Sequence, residues 1–241
     1  MNSPARAHLL RSLAAIATGD PDVPGASPMP DEGPVATEYQ FLLAALGQDL
    51  STLRNIQSIE RKIAAKREMI GRYRPWVEGA MAGNAGTQDE IVGTVLVWSI
   101  DIADWALALP LAAYVLGTGI ALPERYLRKP AVLIAEEVAT AGLTPTPTVD
   151  LETLLAIDAL TMDHDMHQQV SAKLKKAIGL ALKARADAFD PEAESASAGG
   201  KGALIDAALA AFHRALELNE GCGVKKLIDG LERERKKLAS G

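Results

Sequence analysis

The stretch VATEYQFLLAALGQDLSTLRNIQSIERKIAAKREMIGRYR, residues 35–74, decides the fold of this protein and contains no proline. Its first apolar residues recur in alternating steps of four and three, which is the spacing of a helical seam. They are Tyr39, Leu43, Leu46, Leu50 and Leu53, and Ile56, Ile59, Ile63 and Ile70 continue the pattern with a stagger. The spacing predicts one long helix over residues 35–74 with a coiled-coil-like seam.

A helix of this length cannot bury its apolar stripe on itself, so the stripe needs a hairpin partner or another subunit. We therefore expect a homo-oligomer, with a ring as one possible arrangement. The composition also favours helices, because 48% of the 241 residues are hydrophobic but only 4% are aromatic. Small side chains suit helices packed on helices, and short alternating runs of β-formers are lacking. The predicted fold class is all-α, with the long helix followed by helical hairpins.

The two proline-containing linkers divide the chain into three predicted parts. Residues 1–34 hold a short helix over residues 4–18, with Ser3 as N-cap, and a proline-rich linker over residues 20–34 for which we expect no fold. Residues 35–142 hold the long helix and a helical core. Residues 149–241 form a C-terminal helical hairpin domain, and a second proline-containing linker separates it from the core.

The C-terminal domain shows the small-large spacing of a tetratricopeptide hairpin. The residues concerned are Ile178, Gly179 and Leu182, followed by Ala208, Phe212 and Ala215. One such hairpin cannot bury its own face, so it must stack on neighbouring helices. We expect tetratricopeptide-like packing here without a full repeat array.

Charge and cysteine content limit the function classes. The net charge is −6, so any DNA contact must come from a local patch rather than from the protein as a whole. The single Cys222 excludes an internal disulfide and a cysteine-based zinc site, and fits a reducing cytoplasm. Residues 105–122 carry no charge, but Pro110, Gly117 and Gly119 favour a buried core helix over a membrane span.

Two groups of residues could support metal chemistry. Asp163, Asp165 and His167 form a cluster of metal-ligand type, but carboxylates at a helix start are expected for the helix dipole alone. Asp101 and Asp104 could serve magnesium-assisted phosphodiester cleavage, but Asp104 is equally explained as a helix N-cap. No phosphate-binding loop indicates an ATPase. We expect no metal site and no cofactor, with Mg²⁺ needed only by a nuclease.

Three basic stretches remain. The first carries seven basic residues against Glu60 and Glu68, which makes it locally +5: Arg54, Arg61, Lys62, Lys66, Arg67, Arg72 and Arg74. The second contains Lys173, Lys175 and Lys176, followed by Lys183 and Arg185, with no acid among them, and the third, residues 225–237, is mixed in sign. A charged helix face is usually only solvated, but one-signed stretches in an acidic chain indicate phosphate contact. The first two stretches are therefore the predicted DNA-binding residues.

Short motifs along the chain occur in a distinctive order and spacing. They are Ser3-Pro4-Ala5 with His8 and Arg11, Pro75-Trp76-Val77, Gln88-Asp89, Trp98 with Asp101 and Asp104, Glu136-Glu137-Val138-Ala139, residues 215–218, Gly223-Val224-Lys225-Lys226 and Leu231-Glu232-Arg233-Glu234. Together they resemble the small terminase subunit of Peduovirus-type tailed phages. The resemblance covers most of the chain apart from the two linkers and the loop after Pro191.

The resemblance implies a DNA-packaging role in the host cytoplasm. Such subunits bind the cohesive-end region of double-stranded phage DNA and regulate the large terminase subunit, which carries the ATPase. They are often labelled endonuclease subunits, but we expect the large subunit to cleave. The resemblance implies a Lys/Arg-rich tail after the last helix, whereas this sequence ends at Gly241, so the protein is expected either to bind DNA weakly or to use residues 54–74 instead. The alternatives are a metal-dependent endonuclease that uses the Asp residues above, and a helical scaffold that binds only proteins.

Overall fold

The computed structural model describes residues 3–16, 27–84, 86–190 and 200–240 of the chain. These ranges contain eleven α-helices and no β-strand, so the predicted all-α class is confirmed. By packing, the chain divides into two compact units, residues 1–130 and residues 131–241. The predicted functional domains, 1–34, 35–142 and 149–241, stay predictions.

The first unit is built around one buried helix. Its helices are α1 (Pro4–Ala15), α2 (Gly33–Arg54), α3 (Ile59–Met69), α4 (Arg74–Gly83), α5 (Glu90–Asp101) and α6 (Trp105–Thr118). Every residue of α5 from Ile91 to Ile100 is buried, and α2, α4 and α6 pack against this helix. Asp104 caps α6 by accepting a hydrogen bond from the Leu107 amide, as predicted. α6 is a core helix, and the described residues include no helix long and apolar enough to cross a membrane.

The single long helix predicted over residues 35–74 is wrong, because the chain leaves the helix between Arg54 and Ile59. The reason is local: the Ser58 hydroxyl accepts a hydrogen bond from the Arg61 amide and starts a new helix, α3. The predicted apolar seam is largely buried by other residues of the same chain, since Leu46 is 1% and Leu53 7% exposed. A coiled coil stays a prediction.

The segment before α2 is more ordered at its end than predicted. Residues 20–26 of the predicted linker lie outside the described residues, but Ser27 is buried and forms a parallel bridge with Thr87. Its amide donates to the Gly86 carbonyl at 3.0 Å, and its carbonyl accepts from the Gln88 amide at 2.5 Å. The expectation of no fold is therefore wrong at Ser27, because this backbone finds partners beside the start of α5.

The second unit is built on the helix pair α9 and α10, which meet where α9 has a glycine. Its helices are α7 (Pro130–Gly142), α8 (Leu151–Thr161), α9 (Gln168–Asp187), α10 (Gly200–Leu218) and α11 (Lys225–Ser240). A Cβ at Gly179 of α9 would lie 2.5 Å from the Cε1 atom of Phe212 on α10, so the ring occupies the space that the glycine leaves. α9 and α10 therefore pack as a pair with Phe212 against Gly179, and a tetratricopeptide-like arrangement stays a prediction.

Candidate nucleic-acid interface

Four of the seven basic residues in the first stretch bind groups of their own unit. Lys66 forms an ion pair with Asp101, and Arg74 forms one with Asp104. The two carboxylates considered for metal chemistry are therefore each matched by a cation. These ion pairs tie the segment around α3 and α4 to the turn between α5 and α6.

Arg67 and Arg72 also contact their own unit. The Arg67 guanidinium donates to the Ile102 carbonyl at 3.3 Å. Arg72 lies 3.1 Å from a carboxylate oxygen of Asp49, and the Tyr73 hydroxyl donates to the same oxygen at 2.6 Å. Burial, followed by the neighbouring Asp49, raises the pKa of Tyr73, so the phenol stays a neutral donor. This group fixes α2 to the start of α4.

Arg54, Arg61 and Lys62 remain as the cations of this stretch for which the described residues provide neither an ion pair nor a side-chain hydrogen bond. Arg54 ends α2, and the other two lie on α3, a helix without a single buried residue. Glu60 and Glu68 are exposed on the same helix. The predicted +5 patch is therefore reduced to three outward cations beside two acids.

The second basic stretch is also engaged with neighbouring groups. Lys173 donates to the Thr140 hydroxyl at 2.7 Å, and Lys175 forms an ion pair with Asp158 at 2.7 Å. Lys176 donates to the Cys222 carbonyl at 2.7 Å, which ties α9 to the chain before α11. A role of these lysines in DNA binding stays a prediction, because each of them already has a partner within its own unit.

The metal-ligand candidates of the second unit lie on the surface. Asp163, Asp165 and His167 are exposed in the segment between α8 and α9, and His167 precedes α9 without making a side-chain cap. Within the described ranges, no group of three or more His, Cys, Asp or Glu residues is placed to hold a metal ion. Chemistry at these residues therefore has no preformed ligand set in this part of the chain.

Asp89 is a buried carboxylate whose role the sequence did not reveal. Its two oxygens accept hydrogen bonds from Trp76 Nε1 at 2.7 Å, from the Ile91 amide at 2.8 Å and from the Val92 amide at 3.0 Å. Burial raises the pKa of Asp89 to about 6, against the lowering effect of these donors. Because no solvent reaches this carboxylate, we assign it to holding α4 on the start of α5 rather than to catalysis.

Comparison with known proteins places the chain among phage terminase proteins. The sequence profile of the phage small terminase subunit family matches residues 43–169, a range that includes α3, α4, α5 and α6 of the first unit. The chain is 37% identical to the terminase, endonuclease subunit of Escherichia phage P2 over 239 residues, 98% of this chain and 87% of that protein.

A second relative is more distant. The chain is 24% identical over 202 residues to the probable terminase, endonuclease subunit of Haemophilus phage HP1 (strain HP1c1), which covers 80% of this chain and 68% of that protein. No solved structure matches the chain. The matched profile and the near-complete similarity to the phage P2 protein show that this chain belongs to the phage small terminase subunit family.

Proposed function

We propose that this protein acts in phage DNA packaging as the DNA-recognition subunit of a terminase. It binds double-stranded phage DNA at the cohesive-end or packaging site and regulates a large subunit that carries the ATPase and nuclease activities. Membership of the small terminase subunit family, with 37% identity to the phage P2 protein along nearly the whole chain, is the observation that carries this proposal.

Within the first unit, Arg54, Arg61 and Lys62 are the proposed phosphate contacts. They are the cations of the basic stretch that have neither a carboxylate nor a carbonyl partner among the described residues, and α3 buries none of its side chains. A cation that is already paired gains less from a phosphate, because it must give up its partner first. We assign Lys66, Arg72 and Arg74 to holding the fold.

The protein works as a homo-oligomer in this proposal, with a ring as one arrangement. The apolar seam of α2 is mostly used within the chain, but Phe41 on α2 is 63% exposed and Ile59 on α3 is 75% exposed. Exposed large apolar side chains lose contact with water when a partner covers them, so we propose these two as part of the contact surface. The alternative is that these residues bind the large subunit. Sedimentation of the isolated protein distinguishes the two, because only self-association gives an oligomer without the large subunit.

The subunit itself is proposed to be non-catalytic, to need no cofactor and to act in the host cytoplasm. The carboxylates at 101 and 104 are occupied by cations, and those at 163 and 165 lie exposed in a loop. The names of both relatives contain the words "endonuclease subunit", and this favours a metal-dependent nuclease as the second candidate function. A helical scaffold without DNA binding is the third.

A gel-shift series on the purified protein tests the proposal. It uses cohesive-end DNA and a scrambled duplex, with and without Mg²⁺, at two salt concentrations. A salt-sensitive shift without nicking, stronger on cohesive-end DNA, is expected. Nicking that requires Mg²⁺ and is lost in Asp101→Asn, Asp104→Asn or Asp163→Asn would establish the nuclease instead, and no shift at low salt would leave the scaffold.

The variant Arg54→Ala/Arg61→Ala/Lys62→Ala tests the assigned contacts. Loss of three phosphate contacts should lower the slope of log affinity against log salt by about 2 to 3. The matched control is Lys183→Ala/Arg185→Ala/Arg214→Ala, which removes the same charge from residues that form ion pairs with Asp187, Glu152 and Glu217. Equal affinity of the two variants would move the interface away from α3.

A further inference from the structure

The last helix, α11, separates its charges by face. Most of its apolar side is buried: Ile228 is 6% and Leu231 1% exposed, Val224 just before the helix is 0% exposed, and Leu238 near the end of the helix is 46% exposed. α11 packs against α10. The opposite side faces solvent and carries five exposed cations: Lys225, Lys226, Arg233, Lys236 and Lys237.

The acids of α11 are mostly turned toward α10. Glu234 forms an ion pair with Lys201 at 2.7 Å, and Glu232 lies 3.9 Å from His213. Arg235 joins them, since it binds both carboxylate oxygens of Asp206 at 2.7 and 3.0 Å. Asp229 and the exposed Glu232 are the acids of α11 that solvent still reaches, against the five exposed cations. The stretch that is mixed in sequence is therefore strongly positive on its outer face.

The central line of this face follows the spacing of an α-helix. Lys226, Gly230, Arg233 and Lys237 stand at positions i, i+4, i+7 and i+11, so they lie along one side of the helix. Lys226 and Lys237 are about 16 Å apart along the axis, which corresponds to roughly five base pairs of a duplex. Gly230 between them has no atom within 4 Å of the place where a Cβ would stand. The middle of the face is flat and open.

We infer that this outer face of α11 binds the phosphate backbone of double-stranded DNA. The inference rests on the proposed function and adds a contact in the second unit, outside the residues that match the family profile. An anionic lipid surface is disfavoured, because an interfacial helix inserts its apolar side and that side of α11 is already covered by the protein. Phosphate contacts of this kind carry no sequence preference.

The loss-of-function test is the variant Lys226→Ala/Arg233→Ala/Lys237→Ala. Its affinity for a scrambled duplex should fall at least about tenfold near 0.1 M salt, with a salt slope lower by about 2 to 3. Lys183→Ala/Arg185→Ala/Arg214→Ala again serves as the control of equal charge and should bind as the wild type does. Since the three substituted side chains are exposed, thermal unfolding should be unchanged.

A gain-of-function variant tests the inference without the risk that weaker DNA binding comes from a misfolded protein. Gly230→Lys places another cation in the open centre of the face, so we expect tighter DNA binding and a salt slope steeper by about 1. Gly117→Lys is the matched control, because Gly117 on α6 is also an exposed helical glycine with no atom within 4 Å of its Cβ position, and no DNA contact is assigned to that helix.

The outcomes separate the inference from the proposed function. If the wild type binds no duplex at low salt, the proposed function fails. If the wild type binds but the triple variant and Gly230→Lys both bind as it does, only the inference is overturned. Binding of the wild type to phosphatidylserine vesicles and not to DNA, lost in the triple variant, would assign the face to a lipid surface and also overturn it.

Discussion

Gly79 on α4 lies so close to Arg11 on α1 that a Cβ at Gly79 would stand 2.3 Å from the Arg11 carbonyl oxygen. One turn later, a Cβ at Gly83 would stand 2.2 Å from the Ala15 carbonyl oxygen. The two glycines therefore let the backbones of α1 and α4 come together, and they place Leu10, Leu13 and Ala14 in the core. The crossing cannot be kept if either position gains a side chain.

Gly79→Ala should displace α1 from α4. Because the atoms that it would meet are backbone, no side chain can turn away, and we expect a loss of about 1–3 kcal/mol in the free energy of unfolding. Urea unfolding measures it, and limited proteolysis reports release of α1. Gly47→Ala is the control: the space there is open, and alanine should stabilise α2 by about 0.5–1 kcal/mol. Equal stability of the two variants would contradict the described crossing.

The buried carboxylate of Asp89 should make stability depend on pH in an unusual direction. Its pKa is raised from 3.8 to about 6 in the folded protein, so the fold favours the protonated form. This contribution is present below pH 3.8 and is lost as the pH rises through about 6, a change on the order of 2–3 kcal/mol. Other carboxylates act in the opposite sense, so the measurement must isolate Asp89.

Asp89→Asn provides that isolation. Asparagine keeps an oxygen for the Ile91 and Val92 amides but cannot titrate, and its amide group faces the Trp76 donor. The free energy of unfolding at pH 4.5 minus that at pH 7.5 should be larger in the wild type than in this variant. Identical pH profiles of the two proteins would show that Asp89 does not titrate in this range.

The ion pair between Lys66 and Asp101 should contribute to stability and not to DNA binding. Lys66→Met keeps the aliphatic side chain but leaves a partly buried carboxylate unmatched, at a cost of about 1 kcal/mol. A double-mutant cycle with Asp101→Asn measures the coupling of the pair. If Lys66→Met binds DNA more weakly while its free energy of unfolding is unchanged, Lys66 contacts DNA and the assignment to the fold is wrong.

In the second unit, Gly179→Ala should be destabilising and Phe212→Leu should partly repair it. The added methyl group would collide with the Phe212 ring, at a cost of about 1–3 kcal/mol by overpacking. Each single variant is therefore expected to lower the thermal midpoint, while the double variant should be more stable than the sum of the two predicts. Simple additivity would mean that the ring can move aside.

Features with a local cause could be predicted from the sequence, and features that depend on distant residues could not. Ser3 and Asp104 act as N-caps because their partners lie three residues away, a distance that the sequence shows directly. Lys66 pairs with Asp101, which lies 35 residues later in the sequence, and no local residue pattern predicts that pairing. The sequence therefore predicts a basic surface over the first stretch, whereas in the structure more than half of its cations bind the protein itself.

The break at Ser58 and the face of α11 show two other limits. The apolar seam continues in period through residues 55–58, so periodicity alone favoured one helix, while a serine cap ended it. In α11, the helical spacing of positions 226, 230, 233 and 237 is visible in the sequence and indicates one basic face. A count of charges along the stretch does not show this face, because the acids are included in the count. Which acids turn inward depends on Lys201 and His213 of the neighbouring helix.

The bridge between Ser27 and Thr87 has a practical consequence for shortened versions of this protein. It fastens the chain ahead of α2 to the backbone just before Asp89, where the central helix of the first unit starts. A shortened protein that begins at residue 34 loses this fastening together with α1, and it uncovers the glycines of α4. Such a truncation would expose apolar surface and aggregate, so its failure to bind DNA would say nothing about where DNA binds.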